Sequence, residues 1–253
     1  MSDGYDFQAQ RLFVADDLGA GVEFGVSREQ ANYLLNVLRL GEGAALHLFN
    51  GRDGEWRALL RRNGRRDARL EVQSPTRPQA SGPDLYYLFA PLKRTRLDYM
   101  VQKATEMGVA RLCPVITRHT VAERVNLDRM RANVIEAAEQ CGILRVPEVA
   151  EPTTLTRTLE AWDPARRLMF CDEAAPVQDP IAALRSAEPG PLAVLIGPEG
   201  GFSPEERATL KALPFVIPLA LGPRIMRADT AAVAALALVN AVLGDWRSDA
   251  SMS

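Results

Sequence analysis

The stretch that most constrains the fold is a buried strand, a glycine-rich loop and a helix start in immediate succession. Residues 192–196 form a continuous apolar run, which is typical of a strand buried on both faces of a parallel sheet. A Gly-Pro pair interrupts the strand, and Ser203, Pro204 and Glu206 then predict a helix that begins with a capping box. The loop between them contains three glycines, so its backbone can approach a ligand without interference from a Cβ atom.

A second strand–loop–helix unit follows about twenty residues later, a spacing in line with one α/β repeat. Residues 215–219 predict the strand, and the loop 221–227 leads to a helix rich in Ala, Leu and Val that ends near Gly244. Both loops leave the carboxyl ends of their strands, which is the edge of an open α/β sheet where ligands bind. Either loop alone would more often be a simple connection. Because Glu199 and Arg227 place a charge in each loop, the pair predicts a small-molecule site between them.

Charge, cysteine content and hydrophobicity limit the kinds of surface, metal site and location that we expect for this protein. With a formal net charge of −2 the chain is not uniformly basic, so an RNA-binding surface would have to be a local patch. Cys113, Cys141 and Cys171 form no CxxC pair and the chain has 2 histidines, so we expect no metal site. Scattered cysteines and a polar, acidic N-terminus indicate a cytoplasmic protein. No apolar run is long enough to predict a membrane span.

A proline-rich segment divides the chain into two predicted domains. Residues 1–75 contain alternating apolar and polar runs, one capped helix and a hairpin, and we interpret them as a small β-rich domain, a barrel. Residues 76–83 are predicted to be a linker because they combine Pro, Ser and Gly without apolar periodicity. Residues 84–253 alternate strand and helix patterns, which predicts an α/β fold with a parallel sheet.

Several motifs resemble those of one enzyme family. GPEGGFSPEE followed by LGPRIMRADTAAVAAL resembles the paired signature of the SPOUT class of S-adenosylmethionine-dependent RNA methyltransferases. More narrowly, it resembles the RsmE family, which methylates N3 of a uridine in 16S ribosomal RNA. NYLLNVLRLGEGAALHLFNGRDGEW resembles the PUA-like domain of that family, and APLKRTRLDYMVQKATEMGV and EAAEQCGILRVPEV extend the resemblance over nearly the whole chain. The chain departs from the family pattern at Ile143, where arginine is often found, and at Asp229, which replaces glutamate.

The resemblance implies an N-terminal PUA-like β-barrel followed by a SPOUT α/β domain with a parallel sheet and a C-terminal trefoil knot. It also implies a homodimer, S-adenosylmethionine as methyl donor, and 16S rRNA within the small ribosomal subunit as partner. Ile225 and Met226 are expected beside the adenine, and Glu199 on a ribose hydroxyl or as a support of the loop. The full set of expected cofactor-binding residues is Leu195, Gly197, Pro198, Glu199, Gly200, Leu221, Gly222, Ile225, Met226 and Arg227.

Methylation of N3 requires an unpaired uridine that has lost its proton. A cation that stabilises the uridine anion, or a base that accepts the proton, would accelerate the reaction. Arg227 is the candidate cation, and anchoring of a phosphate or carboxylate is an equally good interpretation of this residue. Asp229 is the nearest carboxylate that could accept the proton, although capping or first-turn stabilisation of a helix is the commoner role for such a residue.

Basic residues are the candidates for RNA contact, although each one alone is more simply interpreted as part of a solvated surface. An arginine cluster in the N-terminal domain comprises Arg61, Arg62, Arg65, Arg66 and Arg69. The candidate RNA-binding residues of the chain are Arg11, Arg39, Lys93, Arg94, Gln102 and Lys103.

Two alternative functions stay open at this point. Another SPOUT enzyme would share the fold and the cofactor but would act on a different RNA or on a ribose oxygen. A non-catalytic RNA-binding protein, such as a ribosome assembly factor, would use the N-terminal domain and bind no cofactor. The chain has neither a P-loop motif nor a GxGxxG motif, which disfavours a nucleotide hydrolase and a Rossmann enzyme.

Overall fold

The chain forms two compact units. The first comprises the residues up to Ser81 together with Ala138–Val146, and the second comprises Gly82–Ala137 and the residues from Pro147 onward. A short segment from the middle of the chain therefore belongs with the N-terminal residues. The computed structural model describes residues 9–64, 67–121, 124–172, 175, 179–188 and 190–247.

Five strands form a curled sheet in the first unit. They are β1 (Arg11–Phe13), β2 (Glu23–Gly25), β3 (Ala45–Phe49), β4 (Glu55–Arg62) and β5 (Ala68–Arg77). Their order is β1-β3-β4-β5-β2, and every pairing except that of β1 with β3 is antiparallel. The predicted β-rich domain and its hairpin of β3 and β4 are confirmed. No described pairing joins β1 to β2, so the described sheet has two ends, whereas the sequence led us to expect a barrel.

The helix of the first unit begins as predicted and then changes its winding. α1 (Arg28–Asn32) starts with a capping box, in which the Ser27 hydroxyl accepts from the Gln30 amide and the Gln30 side chain accepts from the Ser27 amide, both at 3.1 Å. A π-helical turn follows over Tyr33–Val37, and Arg39 then has a φ of 55°. The helical side chains that pack into the core of this unit include Ala31, Leu34 and Leu35.

Strand β5 continues to Arg77, beyond the point where the sequence predicts a linker. Arg77 pairs with Glu55 of β4 in the sheet, and its guanidinium contacts the Glu55 carboxylate at 2.7 Å. The Thr76 hydroxyl donates to the main-chain carbonyl of Glu55 at 3.1 Å. A buried acid that needs polar partners therefore draws these two residues into the sheet, and local composition does not signal such an interaction.

The strands of the second unit form a parallel arrangement, as predicted. They are β6 (Leu85–Phe89), β7 (Arg111–Ile116), β8 (Glu148–Val149), β9 (Thr153–Thr154), β10 (Arg167–Cys171), β11 (Leu192–Ile196) and β12 (Val216–Leu219). The order is β12-β10-β11-β6-β7-β8, and β9 pairs separately with β7. The sequence does not predict β8 and β9, because strands this short carry no periodic signal.

The helices of the second unit include the one predicted after the glycine-rich loop. In its capping box the Ser203 hydroxyl accepts from the Glu206 amide at 3.2 Å, and the Glu206 carboxylate accepts from the Ser203 amide at 2.9 Å. The last helix begins at Ala228, so Asp229 lies in its first turn rather than before it. The described helices after β6 are α2 (Arg94–Glu106), α3 (Leu127–Gln140), α4 (Leu155–Glu160), α5 (Pro180–Arg185), α6 (Pro204–Lys211) and α7 (Ala228–Val242), and the end of α3 from Ala138 onward belongs to the first unit.

Strand β11 is central to the core of the second unit. All its residues are buried, as the continuous apolar run predicts, and it lies between β10 and β6. Leu195 belongs to one apolar cluster with Phe170 of β10 and Leu88 of β6. The position of β11 inside the sheet holds the loop that follows it at a defined place.

Three further features concern membranes, metals and thiols. None of the helices that the structure describes is both long and apolar enough to cross a membrane. The described residues contain no group of three or more His, Cys, Asp or Glu side chains placed to hold a metal ion. Cys113, Cys141 and Cys171 form no disulfide bond with one another.

Candidate functional site

Three strand ends lie at one edge of the parallel sheet. β11 leads into the glycine-rich loop 197–203, and β12 leads into the loop 220–227. β10 lies between these two strands and ends at Cys171, which is followed by Asp172. Because the three strands are parallel, their carboxyl ends lie at the same edge, which is where ligands bind in sheets of this kind.

A cavity of about 630 Å³ lies between the two loops. Its volume is within the range of sites that bind small molecules. Leu195 is buried inside β11 and is not among the residues that line the cavity. The other expected cofactor residues do line it: Gly197, Pro198, Glu199, Gly200, Leu221, Gly222, Ile225, Met226 and Arg227.

Part of the cavity wall comes from residues that the sequence does not single out. Cys171 and Asp172 contribute from the end of β10, Arg96 from α2, and Arg224 from the second loop. Cys171 and Asp172 directly follow a predicted strand, so the rule that ligands bind at strand ends could have found them. No local pattern marks Arg96, because α2 reaches the loop only through tertiary packing.

The glycine-rich loop closes tightly around one aromatic side chain. A Cβ atom on Gly197 would lie 2.5 Å from the ring of Phe202, which is far inside van der Waals contact. Gly201 has a φ of 68°, in the left-handed region that favours glycine. Phe202 packs against Phe170 of β10, with ring centroids 5.0 Å apart. Two of the three glycines are therefore required by the shape of the loop itself.

A buried carboxylate forms part of the cavity wall. Asp172 is 2% exposed, and its carboxylate contacts the Arg207 guanidinium at 3.0 Å and the Lys211 ammonium at 2.9 Å. Arg207 also donates through Nε to the Phe202 carbonyl at 3.0 Å. These contacts connect the end of β10 to α6 and to the glycine-rich loop, and they compensate the charge of the buried acid.

Burial raises the pKa values of Cys113 and Cys171, two thiols of this unit. Desolvation raises the pKa of the Cys171 thiol, which borders the cavity, to about 12. Burial likewise raises the pKa of the Cys113 thiol to about 11. Both thiols are therefore protonated at neutral pH, which disfavours Cys171 as a nucleophile in this cavity.

The charged residues predicted for the two loops occupy different surroundings. Glu199 forms an ion pair with Arg96 of α2, and both side chains are partly exposed. Arg227 is exposed, lines the cavity and immediately precedes α7. Asp229 accepts the Thr230 amide at 2.8 Å and is not among the cavity-lining residues. The two predicted catalytic residues are thus close in sequence, but only Arg227 borders the cavity.

The two apolar residues expected beside the adenine differ in exposure. Ile225 is 90% exposed, whereas Met226 is partly buried, although both line the cavity. Met226 therefore offers apolar surface to a ligand in the described structure, while most of the Ile225 side chain faces solvent.

In the first unit, the two basic residues predicted to contact RNA have opposite environments. The Arg11 side chain is 6% exposed: its Nε contacts Glu55 at 2.8 Å, and its Nη2 donates to the Ile143 carbonyl at 3.0 Å. Its guanidinium also lies 4.3 Å from the centroid of the Phe49 ring. Donors that are engaged in this way are not available to RNA phosphates, so this position does not fit the predicted role. Arg39, by contrast, is exposed.

In the second unit, the predicted RNA contacts lie on or beside α2. Lys93 is exposed at the N-cap of the helix, and Gln102 is partly buried. Lys103 contacts the Glu106 carboxylate at 2.7 Å, which satisfies part of its charge. The side chain of Arg94 lies outside the described residues.

Acidic neighbours partly neutralise the arginine cluster of the first unit. Arg61 contacts Glu71 at 2.6 Å, and Arg69 contacts Glu23 at 3.7 Å. The arginines at positions 65–66 lie outside the described residues. The described part of this cluster therefore carries less net positive charge than the sequence suggests.

Comparison with known proteins adds to this geometry. A family model described as an RNA methyltransferase domain matches residues 80–240, and one described as an RNA methyltransferase PUA domain matches residues 26–73. Ribosomal RNA small subunit methyltransferase E of Synechocystis sp. is 30% identical over 241 residues, which cover 93% of this chain and 78% of that protein.

Solved structures share the fold over almost the whole chain. A methyltransferase from Legionella pneumophila, in complex with its bound cofactor S-adenosylmethionine, has a TM-score of 0.83 at 28% identity and covers 94% of this chain and 99% of its own. Ribosomal RNA small subunit methyltransferase E from Neisseria gonorrhoeae has a TM-score of 0.86 at 23% identity, over 95% and 100% of the two chains, which shows a common fold. From the matched domains and the relatives together, this chain belongs to the RsmE family of RNA methyltransferases.

Proposed function

We propose that this protein transfers a methyl group from S-adenosylmethionine to N3 of one uridine in the 16S rRNA of the small ribosomal subunit. The observation that carries the proposal is the cavity between the loops 197–203 and 220–227, found in a chain of the RsmE family. Its curated relatives are named for action on ribosomal RNA of the small subunit, and a 28% identical structure holds S-adenosylmethionine.

The residues of the cavity fit this cofactor. A volume of about 630 Å³ suits a ligand of this size. Gly197, Gly200 and Gly222 bring the backbone of the two loops to the cavity wall, and Ile196 and Met226 add apolar surface for a purine ring. When bound, S-adenosylmethionine would supply a methyl group on a positively charged sulfur, and a nucleophile that bonds to the methyl carbon would displace the neutral thioether. The task of the protein is then to hold donor and acceptor in line.

Arg227 is the proposed catalytic residue. It is exposed at the cavity and precedes the first turn of α7, where the helix dipole adds positive potential. A positive charge at this place stabilises the anion that forms as the uridine loses the proton on N3. Anchoring of a substrate phosphate is the alternative role, and it would change KM for RNA rather than kcat. Asp229 accepts an amide hydrogen bond in the first turn of α7, which supports a helix-stabilising role for this residue.

RNA contact is proposed for both units. Arg11 is left out of this surface because its donors are engaged in the interior of the first unit. Exposed cations add affinity by displacing counterions from phosphates. The proposed contact residues are Arg39, Lys93, Arg94, Gln102 and Lys103.

Three finer features belong to the same proposal: a trefoil knot in the C-terminal part, a homodimer and a cytoplasmic location. The knot is supported by the cavity between two loops that follow parallel strands, and by membership of the family. The exposed side chains of Tyr99 and Trp246 supply apolar surface of the kind that a partner subunit covers. Cysteines that form no disulfide bond with one another suit a reducing compartment. Light scattering of the purified protein tests the dimer.

The test of the main proposal combines cofactor binding with detection of the modified base. Titration calorimetry should show S-adenosylmethionine binding to the wild-type protein. Small subunits that lack the modification should then gain a methyl group that arrests reverse transcriptase, because N3 lies on the pairing edge of the base. A methyl group on a ribose oxygen leaves that edge free, so the arrest separates this function from ribose methylation.

Arg227→Ala should lower kcat by about 100-fold, and Arg227→Lys, the control that keeps the charge, should recover part of the loss. A fall confined to the KM for RNA would instead support the anchoring role. If folded wild-type protein binds no S-adenosylmethionine with or without RNA, the proposal is wrong and the non-catalytic RNA-binding function is favoured.

A further inference from the structure

A turn after a nearby strand contacts the glycine-rich loop. β7 ends at Ile116, and residues 117–120 form a turn directly after it. The Thr117 amide donates to the Thr120 hydroxyl at 2.8 Å, and the Thr120 amide donates to the Thr117 carbonyl at 3.2 Å. These two hydrogen bonds close the turn on itself and give it a defined shape.

His119 reaches the glycine-rich loop from this turn. Its ring Nδ1 lies 3.2 Å from the Gly200 carbonyl oxygen and 3.1 Å from that of Gly201. Because carbonyl oxygens only accept hydrogen bonds, Nδ1 must carry the hydrogen that it shares between them. The neutral ring is therefore the Nδ1–H tautomer. The protonated ring keeps the same donor, since both of its nitrogens then carry a hydrogen.

The same turn supports the far end of the loop through its backbone. The Arg118 amide donates to the Glu206 carboxylate at 2.8 Å. That carboxylate also accepts the Ser203 amide at 2.9 Å, in the capping box of α6. One turn therefore holds the loop at two places: at residues 200–201 through His119, and at its junction with α6 through Glu206.

We infer that His119 is a positioning residue for the cofactor, which holds the carbonyls of Gly200 and Gly201 so that the loop keeps its shape around the cavity. The inference rests on the proposed function, because it takes this loop to bind S-adenosylmethionine. A Cβ atom on Gly200 would lie 3.3 Å from the Cβ of His119, so the two backbones pack closely at this point. His119 is not among the residues that line the cavity, so it acts through the loop and not on the reacting atoms.

Substitutions at position 119 test whether the hydrogen-bond donor of His119 is needed or its imidazole ring as such. The side-chain nitrogen of asparagine stands the same number of bonds from Cα as Nδ1, and that of glutamine stands one bond further. His119→Ala should weaken S-adenosylmethionine binding about tenfold, and His119→Asn should stay within about twofold of wild type. His119→Gln should not restore binding. Arg118→Ala is the matched control, because it keeps the backbone amide that donates to Glu206.

Steady-state kinetics distinguish a specific effect on cofactor binding from a general loss of stability, because they measure kcat and KM separately. At saturating cofactor, His119→Ala should keep kcat within about twofold of wild type while its KM for the cofactor rises. The dependence of kcat on pH should be unchanged, since the neutral and protonated rings offer the same donor. Equal cofactor affinity in wild type and His119→Ala would overturn the inference and leave the proposed function intact. A lower kcat in His119→Ala that is not restored in His119→Asn would also overturn the inference.

Nitrogen-15 NMR of the cofactor-free protein tests the contact independently of the cofactor. The chain has 2 histidines, so the signals that His119→Ala removes identify this ring. In its neutral form, the His119 ring should show a protonated Nδ1 and a bare Nε2, because Nδ1 faces two carbonyl oxygens. The opposite tautomer would overturn the inference even in a protein that binds S-adenosylmethionine. Wild-type protein that binds no cofactor would overturn the proposed function and this inference with it. Failure of the inference alone would instead show the opposite tautomer, or unchanged affinity in His119→Ala, in a protein that binds the cofactor.

Discussion

Glutamate–arginine pairs in the two units differ in their exposure to water. In the first unit the Glu55 side chain is 0% exposed, and it contacts Arg11 at 2.8 Å and Arg77 at 2.7 Å. In the second unit the Glu199 side chain is 54% exposed, and that of its partner Arg96 is 40% exposed. Water screens the second pair but not the first, so the same residue types contribute very differently to stability.

The pKa of Glu55 shows what burial does to such a group. Burial raises this pKa, but hydrogen bonds from Arg77 and Arg11 outweigh burial and lower it to about 2. The carboxylate is therefore ionised at any physiological pH, and its partners are committed to it. A charged side chain such as Glu55 stabilises the fold when it is shielded from water and bonded to its partners. A charged side chain that borders a cavity, such as Glu199, can contact a ligand.

Removal of the buried charge is the most severe way to test this comparison. Glu55→Gln removes the counter-charge of Arg11, whose side chain is 6% exposed, and of Arg77, whose side chain is 25% exposed. We expect the free energy of unfolding to fall by about 3–5 kcal/mol. Urea unfolding of the purified variants measures the change. The matched control is Asp17→Asn, which breaks the contact of Asp17 with Arg52 at 2.7 Å, between side chains that are 94% and 53% exposed. This control should cost less than about 0.5 kcal/mol, and equal losses in both variants would break the comparison.

Acid should act on the first unit through the same carboxylate. The pKa of Glu55 is lowered on folding from 4.5 to about 2, so its stabilising contribution is complete above about pH 4.5 and is lost as the pH falls toward 2. The contribution that is lost amounts to about 3 kcal/mol. Unfolding free energies measured between about pH 5 and pH 2 should therefore fall more steeply in wild type than in Glu55→Gln. Parallel curves would show that other groups control acid unfolding.

The cavity is more sensitive to shape than to charge. Gly197→Ala places a Cβ atom 2.5 Å from the Phe202 ring, which must move and carry the loop with it. Overpacking of this kind costs about 2 kcal/mol, so S-adenosylmethionine should bind about thirtyfold more weakly. Calorimetric titration measures the affinity. Gly41→Ala is the control, since a Cβ atom there meets nothing within 4 Å. Unchanged affinity in Gly197→Ala would mean that the ring adapts without disturbing the loop.

Disruption of the exposed Arg96–Glu199 pair should have the smallest effect of these changes. It tests how little an exposed ion pair contributes compared with the buried Glu55. Loss of the Arg96–Glu199 contact alone should weaken cofactor binding by at most about fivefold, because exposed ion pairs contribute less than about 1 kcal/mol. A double-mutant cycle of Arg96→Ala and Glu199→Gln separates the two roles considered for Glu199. If Glu199 only supports the loop, its substitution has no further effect once Arg96 is removed. If it binds a ribose hydroxyl, the loss persists in the Arg96→Ala background.

Most of the cavity could be predicted from the sequence because its walls are short-range motifs. The apolar run of β11, the glycines after it and the capping box at Ser203 lie within about fifteen consecutive residues, a window in which periodicity and capping signals are strongest. Arg96 and Asp172 were missed for different reasons. Asp172 carried a usable signal as the residue after a predicted strand, whereas Arg96 lies on a helix whose pattern says nothing about its distance from the loop.

The RNA-binding prediction at Arg11 failed to fit the structure for a similar reason. An arginine beside a predicted strand has the same local pattern whether it faces RNA or a buried glutamate. Only the pairing of β1 with β3, the position of Glu55 in β4 and the return of residues 138–146 to the first unit decide that it is buried. Exposure is a property of the assembled unit and cannot be read at one position.

By itself, the sequence determined where strands, helices and tight loops form, because apolar periodicity, glycine and capping residues act on their immediate neighbours. Tertiary structure alone decided that β10 lies between the two loop-bearing strands, that Glu55 gathers Arg11 and Arg77, and that His119 donates to a carbonyl 81 residues further along the chain. These arrangements depend on contacts between segments far apart in sequence. Their energies arise only when the chain has excluded water from between those segments, and no local pattern contains that information.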